Sequence, residues 1–183
     1  EQVVAQPMRR SAWGRYALEQ AKQIMGAEWE RGLVTFARNT QAPAEQRIAA
    51  LEALQAHGPA PSLSLLKKLV KDENADVGAF AVYLLGLHPL KSVKKPLTAA
   101  WDDTDALVQR RTIESLVRAG WDTNVKVNAN DAVVAKLIAL LNSEDLYVRG
   151  SARVALERTT REAWAEQVLA LDSAKEPRAL IEG

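Results

Sequence analysis

The chain has 183 residues, of which 48% are hydrophobic and 26% are charged, a balance typical of one folded domain with a sizeable core. It contains no cysteine, which excludes a disulfide, a thiolate nucleophile and a cysteine-ligated zinc. Its 24 basic and 23 acidic residues leave a net charge of +1, which disfavours a dedicated nucleic-acid binder. No apolar run reaches the roughly 18–20 residues that a membrane-spanning helix needs.

Helical periodicity predicts three helices in the amino-terminal third. The clearest pattern is Trp29, Leu33 and Phe36, which follow the i, i+4, i+7 spacing of one helical face. The third helix is expected to stop at Gly58 and Pro59, because glycine favours a left-handed cap and proline cannot continue a helix. The predicted helices cover residues 9–24, 27–38 and 44–57.

The middle of the chain predicts two further pairs of helices. Leu65, Leu66 and Leu69 share one face of the first of these helices. An acidic turn separates the two helices of each pair, and the pairs are expected to end near Pro89 and Gly120. The predicted helices cover residues 62–71, 76–87, 93–101 and 106–119.

The last third begins with residues 121–130, which interrupt the helical pattern and are interpreted as a surface insertion. A helix over 131–142 follows, then an acidic turn and a helix over 146–158. A final helix is expected to begin near residue 162, and Arg178 opens what looks like another. We interpret the chain as a piece of a longer protein.

The helices that follow the acidic turns form an internal repeat. Their opening segments begin at Gln46, Val77, Val108 and Val148, which are 31, 31 and 40 residues apart. One amphipathic helix pair cannot bury its own apolar face, whereas stacked pairs share a core. The sequence therefore predicts an all-α fold, a right-handed α-α superhelix of four to five helix pairs. The repeats are predicted at residues 27–58, 59–88, 89–120 and 121–160, with partial units at 1–26 and 161–183, all within a single domain spanning 1–183.

A D-x-x-V-R pattern opens the helix at 146–158, where it runs from Asp145 to Arg149. A helix–turn–helix unit of this length with this pattern resembles a HEAT-like repeat of the HEAT and ARM solenoids. The resemblance implies that the turn aspartate and the helix arginine form a ladder between neighbouring repeats. That role transfers to Asp145 and Arg149, and more loosely to Arg47. It fails at Gly78 and Gln109, which lack the arginine.

Residues 148–183 also resemble the HEAT region of large exported bacterial proteins that combine a sorbosone-dehydrogenase-like propeller with a c-type cytochrome. This resemblance implies that catalysis and electron transfer belong to flanking domains, and that the chain is a periplasmic or otherwise exported segment. Without it, the expected location is the cytoplasm. The predicted function is a non-catalytic protein-interaction or spacer module.

The predicted partner-binding surface lies on the second helix of each pair, which usually lines the concave face of such solenoids. The expected partner is a protein or a neighbouring domain of the same parent chain, since interspersed acidic residues weaken a phosphate-binding interpretation. Trp121, beside the insertion, is expected to be exposed and to contact the partner. The alternative is that the arginines are ladder residues or solvated surface charge. The candidate surface consists of Arg47, Arg110, Arg111, Arg149, Arg153 and Trp121.

The sequence gives weaker support for a metal site, for DNA binding or for catalysis than for a protein-binding surface. His57 and His88 occupy the same repeat position and could share one edge, but no third metal ligand recurs there, and helix-terminal histidines explain the pattern without a metal. Trp101 and Asp102 resemble the Trp and Asp of HEAT-like DNA glycosylases, which makes a DNA-binding protein or glycosylase the alternative function. No nucleophile–base set, metal site or cofactor motif emerges, so the segment is predicted not to be an enzyme.

Overall fold

A computed structural model describes residues 2–6, 8–121, 131–173 and 175–182 of the chain, with the side chains of 180–182 excepted. Throughout these ranges the regular structure is helical, with no strand. The helices are α1 (Ala12–Met25), α2 (Glu28–Arg38), α3 (Ala44–His57), α4 (Leu63–Leu69), α5 (Ala75–Leu85), α6 (Leu90–Ala100), α7 (Ala106–Arg118), α8 (Ala132–Leu140), α9 (Leu146–Glu157), a 3₁₀ turn (Arg161–Ala163), α10 (Ala165–Leu169) and α11 (Pro177–Glu182).

The helices follow the predicted alternation, and the all-α fold of helix pairs is confirmed. The first helix of each pair, here called an A-helix, is α2, α4, α6 or α8. The second, here called a B-helix, is α3, α5, α7 or α9, and α1 has the B position of the first partial unit. Helix α2 packs on α3, α6 on α7, and α8 on α9. None of the described helices is long and apolar enough to cross a bilayer.

Polar side chains in the turns fix where many of the helices begin. Asp105 accepts hydrogen bonds from the backbone N–H groups of Leu107 and Val108, and Asp145 accepts one from Val148. Such caps satisfy donors that have no partner inside the helix, and each stabilises a helix by about 1 kcal/mol. The acidic turns seen in the sequence are therefore helix starts.

The chain divides into two compact units, residues 1–77 and 78–183, and the division falls within α5. In the first unit, the indole N–H of buried Trp29 on α2 donates to the Gly58 carbonyl at 3.0 Å, which ties α2 to the end of α3. Gly58 has φ +67°, a conformation that glycine adopts without strain, as expected for the predicted stop. The core of this unit is formed mainly by Trp29, Leu33, Leu51, Leu54 and Leu66.

In the second unit, the core is rich in leucine and valine from both helix types. Helices α5 and α7 approach closely at Gly86, where a Cβ would lie 2.7 Å from the Cβ of Ser115. Two differences from the sequence prediction appear in the carboxyl-terminal part. The helix expected from residue 162 is split at Trp164, whose φ of −141° is not helical, into the 3₁₀ turn and α10. The expected insertion at 121–130 lies, except for Trp121, outside the described residues.

Candidate functional site

Helix α7 of the second unit carries two adjacent arginines that share one carboxylate. The Arg110 Nε donates to a Glu114 oxygen at 2.8 Å, and an Arg111 Nη donates to the other oxygen at 2.7 Å. Residues three and four apart are neighbours on a helix surface, so the spacing places both guanidinium groups beside Glu114. All three side chains are only partly exposed.

The shared carboxylate stays ionised. Burial raises the pKa of Glu114. The hydrogen bonds from Arg110 and Arg111, together with the charges of both arginines, outweigh this effect and hold the pKa below its ordinary value. Near neutral pH, Glu114 therefore holds the two arginines in a fixed arrangement on the surface of α7.

Tyr147, at the start of α9, links this arginine pair to the next B-helix. Its ring lies beneath the Arg110 guanidinium, with 5.3 Å between the guanidinium carbon and the ring centroid, in the range of a cation–π contact. Tyr147 is nevertheless 66% exposed, and Val154 on the same helix is 50% exposed. Large exposed apolar groups next to arginines are typical of binding hot spots.

The other arginines of α9 are also in contact with neighbouring groups. Arg149 donates to the carbonyls of Ser143 and Glu144, at 2.9 and 3.1 Å, and so bridges back to the turn before its own helix. Arg153 lies 3.6 Å from Glu157 one turn later, and both side chains are about half exposed. We call the surface formed by Arg110, Arg111, Tyr147, Arg153 and Val154 the arginine–tyrosine face; Arg149 lies at its margin.

A second cation–π contact joins two other positions on B-helices, Arg118 on α7 and Tyr83 on α5. The Arg118 guanidinium carbon lies 4.6 Å from the centroid of the Tyr83 ring, and Tyr83 stacks on Phe80 with 5.7 Å between ring centroids. Sequence reasoning about charge alone passed over Tyr83 and Tyr147. For Tyr147 a signal was present, because it lies off the stripe of Val148, Ala152 and Leu156 that the helical period assigns to the core.

Arg47 does not belong to an accessible surface, contrary to the prediction that placed it in the candidate surface. It is 2% exposed in the first unit, where its Nε donates to the Ala37 carbonyl at 2.9 Å. Its two terminal nitrogens each donate to one oxygen of Asp72, one of them at 2.9 Å. A B-helix arginine paired with the aspartate of the next turn corresponds to the ladder that the resemblance implied.

The pair governs the ionisation of Asp72. Burial raises the pKa of Asp72, but the hydrogen bonds from Arg47 and from the Asn74 N–H, together with the Arg47 charge, outweigh it and hold the pKa below its ordinary value. Where the family arginine is absent, at Gln109, the side-chain amide instead donates to the Asp103 carbonyl at 2.7 Å.

Trp121 requires the same correction. It was expected to be exposed beside the insertion, but its exposed fraction is 0%. The prediction that Trp121 is exposed rested on its place beside the expected insertion. In the structure, the large apolar ring is instead buried with the core residues of the second unit.

The tryptophan and aspartate compared with DNA glycosylases lie on the A-helix side of the second unit. Trp101 is buried, and exposed Asp102 is paired with Lys136. They line an open cleft of about 560 Å³ between α6 and α8. Its charged walls are balanced, with Lys94 and Lys136 set against Asp102 and Asp131.

The histidines lie in different units, and only His57 has a defined partner. Its Nδ1 lies 3.1 Å from a carboxylate oxygen of Glu19 on α1, and its ring meets Trp29 edge-on. The Lys22 ammonium donates to the His57 carbonyl, so α1 is held against the end of α3 by polar contacts as well. Among the described residues, no three His, Cys, Asp or Glu side chains are grouped to hold a metal ion.

Comparison with known families gives one consistent result. The family described as HEAT repeats matches residues 30–117 and again residues 63–157, and the overlapping matches together run from α2 to the end of α9. No curated protein matches the chain in sequence. HEAT repeats typically mediate protein interactions and are generally non-catalytic. The matched span contains each of the four helix pairs described above, and the chain belongs to the HEAT-repeat family.

Proposed function

We propose that this chain is a non-catalytic protein-interaction module that binds its partner through the arginine–tyrosine face of the second unit. The observation that carries the proposal is Tyr147, a large ring left mostly exposed while Arg110 lies over it. Aromatic and arginine side chains are the residues most enriched at the energetic centres of protein interfaces.

The charge arrangement supports a protein partner. The three arginines of the arginine–tyrosine face lie beside two glutamates, Glu114 and Glu157, which leaves one positive charge uncompensated. Pairing with the glutamates fixes the geometry of these arginines and lowers the cost of ordering them on binding.

We further propose that the chain is a segment of a larger exported bacterial protein, in which it holds a neighbouring domain or spaces two domains apart. The support is the resemblance of residues 148–183 to the HEAT region of proteins with a sorbosone-dehydrogenase-like propeller and a c-type cytochrome. The parent reading frame tests this directly. A propeller on one side and a C-x-x-C-H segment on the other are expected, and a frame that encodes neither contradicts the proposal.

The binding surface is tested by two double variants with the same change in charge. Arg111→Glu with Arg153→Glu alters the arginine–tyrosine face, and Lys91→Glu with Lys95→Glu alters exposed positions of the A-helix α6. Each variant and the wild-type chain are immobilised and used to capture protein from an extract of the source organism. Captured bands are identified by mass spectrometry.

Loss of the captured protein with the arginine variant, and its retention with the lysine variant, are expected. The proposal fails if the wild-type chain captures nothing, or if both variants capture the same protein as the wild type. Circular dichroism of both variants establishes that any loss of binding does not reflect unfolding.

A further inference from the structure

Gly150 occupies a position in α9 that no contact among the described residues explains. A glycine in a helix interior is less stable than alanine, because it loses more backbone freedom on folding. A glycine is often required by the close approach of another group, as at Gly86, directly after α5, where Ser115 leaves no room for a Cβ. At Gly150, a Cβ would meet no heavy atom within 4 Å from the described residues outside its own helical backbone. As far as the described ranges go, the space above this glycine is open.

The open space lies between two exposed apolar side chains. Tyr147 lies three residues before Gly150 and Val154 lies four residues after it, and these spacings place all three on one face of the helix. The ring and the branched side chain thus border a notch whose floor is the α9 backbone. With no side chain at Gly150, a partner's backbone or apolar side chain can approach the α9 backbone there more closely than it could at any other residue type.

Positive charge flanks the notch. Arg110 covers Tyr147 from α7, and Arg111 is joined to Arg110 through the shared Glu114 carboxylate. Arg153 lies about 120° around α9 from Tyr147, by the 100° step of an α-helix. A segment lying along the notch therefore passes between arginines, and acidic side chains on both of its edges would complement them.

Taking the proposed function as its basis, we infer that the partner segment is an acidic polypeptide that places an apolar side chain between Tyr147 and Val154 over Gly150. Its carboxylates face Arg110 and Arg111 on one edge and Arg153 on the other. A nucleic acid fits the face poorly, because three arginines beside two glutamates offer too few uncompensated charges to neutralise a run of phosphates, whereas a peptide needs only a few well-placed charges.

The test uses a display library of random 16-residue peptides selected on the wild-type chain. Dissociation constants of the enriched peptides are then measured for the wild type and three variants. Gly150→Ala fills the notch, Tyr147→Ala removes one border, and Leu169→Ala is the control, since Leu169 is also a large exposed apolar residue but lies on α10. Gly150→Ala is expected to raise the melting temperature, so weaker binding by this variant cannot be ascribed to unfolding.

We expect the enriched peptides to be acidic and to carry one apolar anchor. Gly150→Ala and Tyr147→Ala should each bind them at least about tenfold more weakly than the wild type, whereas Leu169→Ala should bind them with an unchanged dissociation constant. Peptides that depend on Arg111 and Arg153 but are not acidic, or that bind Gly150→Ala normally, would overturn this inference and leave the proposed function standing. Peptides indifferent to the Arg111→Glu, Arg153→Glu variant would contradict both. Absence of any enrichment, or binding of a 20-bp DNA duplex through the same arginines, also overturns the inference.

Discussion

At the scale of single residues, the Arg47–Asp72 pair is the contact whose loss should cost most. Both side chains are less than one-tenth exposed, and each arginine nitrogen has an acceptor. A buried ion pair adds little over an apolar pair of similar volume, but removing one partner leaves an uncompensated buried charge. The pair therefore fixes the position of the α4–α5 turn more than it adds net stability.

We predict that Asp72→Asn lowers the free energy of unfolding by about 3 kcal/mol, because Arg47 keeps its charge and loses its counterion. The matched control is Asp102→Asn, which removes an exposed partner of Lys136 and should cost less than about 1 kcal/mol. Urea denaturation followed by circular dichroism measures both. Equal, small effects of the two substitutions would show that Arg47 is readily satisfied by other groups.

The same pair should make stability depend on pH. Because the folded-state pKa of Asp72 is lowered, its contribution is fully present above the unfolded-state pKa of about 3.9 and is lost as pH falls through the folded-state value. The difference in unfolding free energy between wild type and Asp72→Asn should therefore be constant from about pH 7 to about pH 5 and shrink below about pH 4. A difference that persists unchanged at about pH 3 would contradict the assignment.

At the scale of helices, two glycines with opposite surroundings test the packing. Gly86→Ala should destabilise the chain by about 1–3 kcal/mol, because its Cβ would lie 2.7 Å from Ser115 and force α5 and α7 apart. Gly150→Ala should instead stabilise it by about 0.5–1 kcal/mol, since only the helix preference changes. Thermal unfolding measures both changes, and shifts of the same sign would show that the spacing of α5 and α7 is not fixed at Gly86.

The helices themselves could largely be predicted from the sequence. The period of apolar residues identified each A-helix and B-helix, and α3 covers the predicted residues 44–57 and ends before Gly58 as expected. The region after residue 160 was predicted less accurately. The helix is interrupted at Trp164 by a non-helical backbone conformation, and no Gly, Pro or Asp in the sequence marks that position as a turn. Local preference predicts helices well where turns carry Asp, Gly or Pro, and less well where packing sets the boundary.

The candidate surface was harder to predict, since it depends on which arginines are covered. Arg47 and Arg111 both lie early in a B-helix, but Arg47 is buried by Asp72 from the following turn, whereas Arg111 pairs with Glu114 on its own helix. The residues next to each arginine in sequence do not show which one is buried and which one is exposed. Trp121 likewise has polar neighbours in sequence and a buried position in the fold.

At the scale of the whole molecule, the distribution of charge decides between classes of partner. The chain is nearly neutral overall, and its positive surplus on α7 and α9 is moderate and interrupted by glutamates. Nucleic-acid binding depends on cations that displace counterions from many phosphates, so affinity rises with each uncompensated arginine. An acidic polypeptide needs only a few well-placed charges and can add apolar contact with Tyr147 and Val154.

We therefore predict that the chain does not retain a 20-bp DNA duplex at about 50 mM salt, a low salt concentration that favours such binding. Fluorescence anisotropy of a labelled duplex measures this up to the highest soluble concentration of the chain. Glu114→Gln with Glu157→Gln serves as the internal comparison, because it raises the surplus on α7 and α9 by two charges. If the wild-type chain bound the duplex, that variant would bind it more tightly and with a steeper loss of affinity as salt rises. Such a pair of results would favour the DNA-binding alternative, because duplex binding whose salt dependence steepens with added positive charge is the mark of phosphate contacts.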